Sequence, residues 1–256
     1  MPVPGAVTDP SLITESSTTV TAEDGHAVPL AGARPSGADG RLPGLVVIHE
    51  AGGVNNHIRD VCRRFAAQGF VAAAPDLFAR VGGAPAPGDM HEAMRKIGAL
   101  PDPEAVADLR ATAAWLREQP GCNGRVGGIG FCMGGRLSLL LATHPGVLDR
   151  AIDCWGGRIT RRTATVDERH PEVVIERVDR LACPLLGVFG AEDQNPDASD
   201  VEELRVALEA RGAEHRIVVY PNAGHAFFAD YRPSYREEPA HAAWAEFLRF
   251  LEPLRG

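Results

Sequence analysis

The chain predicts an α/β fold built on a doubly wound, mostly parallel sheet, on three observations. Short unbroken apolar runs such as Leu45-Val46-Val47-Ile48 and Leu185-Leu186-Gly187-Val188 have the character of strands buried on both faces. Helical patterns alternate with these runs along the chain, as parallel crossovers require. The length of 256 residues, with 45% hydrophobic and 23% charged residues, suits one large α/β domain over 1–256. No internal repeat and no linker interrupts it.

The elements follow in order. Residues 1–15, rich in Pro, Gly, Ser and Thr, are expected to be loosely ordered. Ser17 to Thr21 is β-prone, Asp24-Gly25 is a turn signal and His26 to Leu30 alternates, so an N-terminal hairpin is expected. A turn-rich connection over 33–43 leads to the strand Leu45–Ile48. Asn55 to Ala67 fits a helix ended near Gly69, and Phe70 to Ala74 a strand. The Pro/Gly-rich stretch 81–89 reads as a loop. A helix from about Pro103 to Gln119 follows, with Asp102 as N-cap and Pro103 in the first turn. The last helix, about Glu237 to Leu254, carries Trp244, Phe247, Leu248 and Leu251 at helical spacing, a core stripe.

A net charge of −8 gives no electrostatic reason to expect nucleic acid or an anionic membrane as partner. The basic run Arg158-Ile159-Thr160-Arg161-Arg162 reads as a solvated loop. Five scattered cysteines, without a CxxC or His-rich cluster, suggest neither a disulfide scaffold nor a metal site. No basic-then-apolar leader pattern and no membrane-length apolar run is seen, so a cytoplasmic monomer or small homo-oligomer is expected.

Chemistry concentrates at Gly130-Phe131-Cys132-Met133-Gly134-Gly135. A strand precedes this segment and an apolar helix follows it. Such a turn forces its central residue into strained geometry and needs small neighbours at Gly130 and Gly134, the arrangement by which α/β-hydrolases expose a nucleophile. Here that residue is Cys132; read alone, it could equally be a buried structural cysteine. Asp193 follows the strand 185–190, and His225 follows a strand at 217–220. Alone, Asp193 reads as a turn former and His225 as a loop histidine. Together they give the order nucleophile, acid, histidine, each at a strand exit.

These segments, with Val47-Ile48-His49-Glu50, Gly53-Val54-Asn55, Pro75-Asp76-Leu77-Phe78 and the tail from Tyr235 to Trp244, resemble the dienelactone hydrolase family of α/β-hydrolases over about Thr18 to Leu254. The resemblance implies a hydrolase of small lactones or esters that uses Cys132, His225 and Asp193 through an acyl-cysteine. It implies Glu50 as acceptor of the thiol proton, backbone amides of Met133 and Ala51 as the oxyanion hole, and no metal or organic cofactor. A thioester or xenobiotic ester substrate, or a non-catalytic ligand-binding relative, are the rival readings.

The chain departs from the family pattern after the histidine. The segment His225-Ala226-Phe227-Phe228-Ala229-Asp230 lacks an early arginine, and Arg232 lies beyond it. Phe227 and Trp155 are therefore candidate apolar substrate contacts. Arg95, or an arginine of 158–162, is a candidate for restoring the charge. Neutral lactones or esters are then expected to be handled at least as well as carboxylated dienelactones.

Overall fold

The computed structural model describes residues 2–38 and 40–256. Met1, in the expected loose segment, and Asp39, in the expected connection 33–43, lie outside the described residues. The hairpin is β1 (Ile13–Thr21) and β2 (Ala27–Pro35), and the sheet continues through β3 (Leu42–Ile48), β4 (Val71–Pro75), β5 (Cys122–Phe131), β6 (Arg150–Cys154), β7 (Leu185–Gly190) and β8 (His215–Tyr220). Their spatial order is β1-β2-β4-β3-β5-β6-β7-β8. Pairing is antiparallel at β1/β2 and β2/β4 and parallel from β4 to β8. Leu45 to Ile48 and Leu185, Leu186, Val188 and Phe189 are fully buried, as centrally placed parallel strands require.

The helices are α1 (Asn56–Ala67), α2 (Met90–Ala99), α3 (Asp102–Glu118), α4 (Met133–Ala142), α5 (Ala198–Arg211) and α6 (Glu237–Leu251). Asn55 caps α1 by accepting from the Ile58 amide, which leaves β3's exit facing the first turn of that helix. Phe65 of α1 packs against Trp244 of α6 with ring centroids 4.6 Å apart, joining those two helices in one layer. α3 and α4 are joined by Arg136, whose guanidinium donates both bonds of a bidentate pair to Asp102 at 2.7 Å. No helix among the described residues is long and apolar enough to cross a membrane.

Several expectations need correction. Residues 2–15 are not loose: Pro4 is buried, its carbonyl accepts from Arg64 at 3.3 Å, and Gly5 lies flat on the Trp244 ring. A 3-10 turn over Pro10–Leu12, capped by Asp9, leads directly into β1. The hairpin strands are longer than expected, and β2 consumes the start of the connection at 33–43. The 81–89 loop gives way to α2. Asp102 does not cap α3; Pro101 holds that position, and the Asp102 carboxylate is taken by Arg136. In the basic segment Ile159 and Thr160 are fully buried and Arg162 pairs with Asp197 and Asp200, so only part of it is solvated.

One buried charge ties the N-terminal segment to the loop after β8. Arg64 is 1% exposed and donates to Asp60 (2.6 Å), Asp230 (2.7 Å) and the Pro4 carbonyl. His57, aided by Arg64, holds the Asp230 carboxyl down to about 2. Arg64→Met should cost about 3 kcal/mol, because it strands part of a buried pair. That corresponds to a fall in Tm of roughly 6–12 °C for a domain of this size, read from a thermal melt. An unchanged Tm would remove Arg64 as the anchor of this corner.

Candidate active site

Glu50, Cys132, Asp193 and His225 lie just past the C-terminal ends of strands β3, β5, β7 and β8. Cys132 ends β5 and starts α4 with φ 57° and ψ −117°, a conformation that costs on the order of 1–3 kcal/mol for a side-chain-bearing residue. The reason is a close approach of backbone on three sides. A Cβ on Gly130 would lie 1.8 Å from the Gly134 carbonyl oxygen, and one on Gly134 would lie 2.3 Å from the Ile48 carbonyl oxygen. Only glycine lets α4 turn back so tightly against both its own strand and the exit of β3. The Cys132 amide is spent on the Cys154 carbonyl (3.0 Å), which fixes the elbow to β6. Cys132 is half-buried.

Asp193 and His225 are brought together by a second close approach. A Cβ on Gly190, at the end of β7, would lie 2.3 Å from the Ala223 carbonyl oxygen. The Ala191 and Glu192 amides donate to Tyr220 and Ala223 across the same gap. Asp193 is buried; its Oδ1 accepts from the Asn195 amide and its Oδ2 from His225 Nδ1, both at 2.9 Å. Cys132 borders the same cavity as the imidazole and acts on it electrostatically. Burial of the ring opposes its charge, but the hydrogen-bonded Asp193 carboxylate and the nearby Cys132 sulfur outweigh it and push His225 up to about 10. The neighbouring acids have other work: Asp197 caps α5 in a capping box with Asp200.

Glu50, 3% exposed, follows β3 directly. Its Oε1 accepts from Arg232 Nη2 at 2.8 Å and from the Tyr231 hydroxyl, which in turn accepts from Arg232 Nε at 2.9 Å. His49 sets the backbone beside it. Burial lowers the pKa of that ring, so it is neutral; Nδ1 donates to the Glu50 carbonyl (2.8 Å), and Nε2 accepts from the Leu77 amide (3.2 Å).

A cavity of about 420 Å³, within the range of small-molecule sites, opens over these groups. Cys132, Asp193, His225, Glu50, Ala51 and Met133 border it. Met94, Ile97 and Leu137 form an apolar side, and Arg136, Arg158 and Arg232 bring cations. Arg136 is neutralised by Asp102 and Arg232 by Glu50. Arg158, whose own φ is 59°, is held by the Thr165 hydroxyl at 2.6 Å and has no ionic partner among the described residues.

Three substrate-contact candidates are corrected. Trp155 and Phe227 are 1% and 0% exposed and pack against each other, ring centroids 4.9 Å apart, in the core beneath the site. Arg95 is exposed on α2 and does not border the cavity. Asp230 turns away to Arg64 and His57, so the wall after His225 presents Arg232, paired with Glu50. Sequence reasoning missed His49, Tyr231, Asn195 and the Asp102–Arg136 pair. Only the His49-Glu50 neighbourhood carried a local signal, a polar pair at the end of a fully apolar strand.

Comparison with known proteins gives the family. The dienelactone hydrolase family model matches residues 30–254. The chain belongs to the dienelactone hydrolase family. A protein of Salmonella typhimurium named "Putative carboxymethylenebutenolidase" is 38% identical over 236 residues, covering 91% of this chain and 85% of that one. A protein of the same name in Escherichia coli K12 is 37% identical, covering 91% and 84%. The crystal structure of a "Putative Dienelactone Hydrolase" from Klebsiella pneumoniae superposes with a TM-score of 0.87 at 36% identity, covering 94% of this chain and 98% of that one. The protein is thus a hydrolase of the dienelactone hydrolase family with an α/β-hydrolase fold.

The raised His225 pKa sets a pH dependence. The imidazolium's contribution to stability is fully present below the ordinary value of 6.5 and is lost as pH rises through about 10. ¹⁵N NMR of the ring should find it protonated well above pH 7, and Asp193→Asn should bring its titration down. A His225 that titrates at 6.5 in the unaltered protein would contradict the geometry.

Proposed function

We propose that the protein hydrolyses small lactones and esters through an acyl-cysteine on Cys132, with His225 and Asp193 as its partners. The observation that carries this is the strained elbow, which sets Cys132 on the same cavity as an imidazole already oriented by a buried carboxylate.

In the resting site Arg232 and Tyr231 hold the Glu50 carboxylate. A substrate carboxylate that takes over Arg232 releases Glu50 to accept the Cys132 proton. The thiolate then bonds to the carbonyl carbon, and the oxyanion accepts from the amides of Met133 and Ala51. Met133 stands at the first position of α4, where an amide has no acceptor within its own helix. As the tetrahedral adduct collapses, the acyl C–O bond breaks and His225 gives its proton to the leaving oxygen; in a lactone that oxygen stays tethered as a hydroxyl. Neutral His225 then takes a proton from water as the water oxygen bonds to the acyl carbon. The C–S bond breaks, and the thiolate recovers its proton from Glu50. None of these steps is a redox change, so none calls for an organic cofactor.

Arg158 and Arg232 at the cavity favour substrates that carry a negative group, which replaces the sequence-based expectation for neutral esters. The cysteines are all unpaired, which suits a reducing, cytoplasmic setting.

The test is a panel of lactones and activated esters assayed with two variants. Cys132→Ala should lower kcat/KM by about a thousandfold or more while the thermal melt stays cooperative. Glu50→Gln should lower kcat much more than it raises KM. Substantial turnover by Cys132→Ala would overturn the assignment of the nucleophile.

A further inference from the structure

A second cavity, of about 770 Å³, adjoins the reactive one. Its walls come from the start of α1, the 85–89 loop, the first turn of α2 and the segment Tyr231–Pro233. Ala51, Met90 and Arg232 border both cavities, whereas Cys132 and His225 border only the first. Much of its lining is apolar: Pro85, Ala86, Pro87 and Ala93, with Met90 and Tyr231 each about half exposed at its edge (51% and 52%).

This placement separates the two arms of an ester. The leaving oxygen must face His225 to receive its proton, so the leaving group stays in the first cavity. The acyl arm extends away from His225, past the Ala51 amide that would hold the oxyanion, toward the residues shared with the second cavity. A small lactone has no such arm, and the first cavity suffices for it. Apolar surface left against water at the end of a reaction channel is stabilised by covering it with substrate. We propose that the second cavity is an acyl-extension subsite, which takes the distal, largely apolar part of an elongated acyl group. This rests on the acyl-cysteine reading above and names a further substrate class for the same site, acyclic esters of extended acids.

The test fills the cavity from opposite walls without touching the reactive groups. Ala86 is exposed on its loop, and Asn56 is exposed at the first position of α1. Ala86→Trp and Asn56→Trp would be assayed on p-nitrophenyl esters from acetate to octanoate and on acetates of alcohols of rising length. Each variant should lower kcat/KM for the octanoate by about tenfold or more and leave the acetates within about twofold, the size expected when a hydrophobic pocket is closed. An unchanged acyl-length profile in both variants, or a loss that falls on the alcohol series instead, would overturn the subsite. Acetate hydrolysis that survives Cys132→Ala would overturn the acyl-cysteine reading and the subsite with it, so the two failures are separable.

Discussion

The site depends on the collision-free approach of three backbone segments at the end of the sheet. Gly130 and Gly134 let the first turn of α4 lie within contact of β5 and of the β3 exit, where any Cβ would strike a carbonyl oxygen. That approach forces the unfavourable dihedral at Cys132, exposes its sulfur beside His225, and places the first turn of α4 next to Glu50 and Ala51. Gly190 repeats the device between β7 and the loop after β8, setting Asp193 against His225. The local strain is borne by a sheet whose central strands are buried throughout, so stability is concentrated beneath the site and geometry is spent above it.

Charge is arranged around this frame in pairs that fix the walls of the site. Arg136 closes the cavity floor by joining α3 to α4 through Asp102. Arg64 pins the loop after β8 through Asp230, which leaves the next residues, Tyr231 and Arg232, free to hold Glu50. Under the proposed mechanism, Arg232 exchanges the Glu50 carboxylate it holds at rest for a substrate carboxylate, which would couple recognition to activation of the thiol. Arg158, whose guanidinium is held by the Thr165 hydroxyl, adds positive potential on the far side.

Much of this was legible in the sequence because it is governed by local rules. Unbroken apolar runs marked the central strands, and the Gly130/Gly134 spacing marked the elbow. The strand exits before Asp193 and His225 marked their partners, and Asn55 marked the start of α1. What was not legible depends on side-chain direction set by distant packing. Trp155 and Phe227 lie near site residues in sequence but turn into the core and pack against each other. Arg95 lies on the solvent side of α2, while Arg232, farther along the chain than the family pattern suggested, reaches Glu50. Asp102 has the residue type and place of a cap, yet a buried arginine from another helix outbids the backbone for it. The N-terminal residues looked loose by composition, but Pro4 and Gly5 are held by Arg64 and Trp244, contacts that no local pattern encodes.

The central claim is that the elbow presents Cys132 as the atom that takes the acyl group. Intact-protein mass spectrometry after rapid acid quench of a slowly turned-over p-nitrophenyl ester, followed by peptide mapping, tests it most directly. The account predicts one added acyl mass per chain, located on the peptide that contains Cys132 and removed by hydroxylamine. An acyl group on any other residue, or steady turnover with no covalent adduct at any quench time, would contradict it.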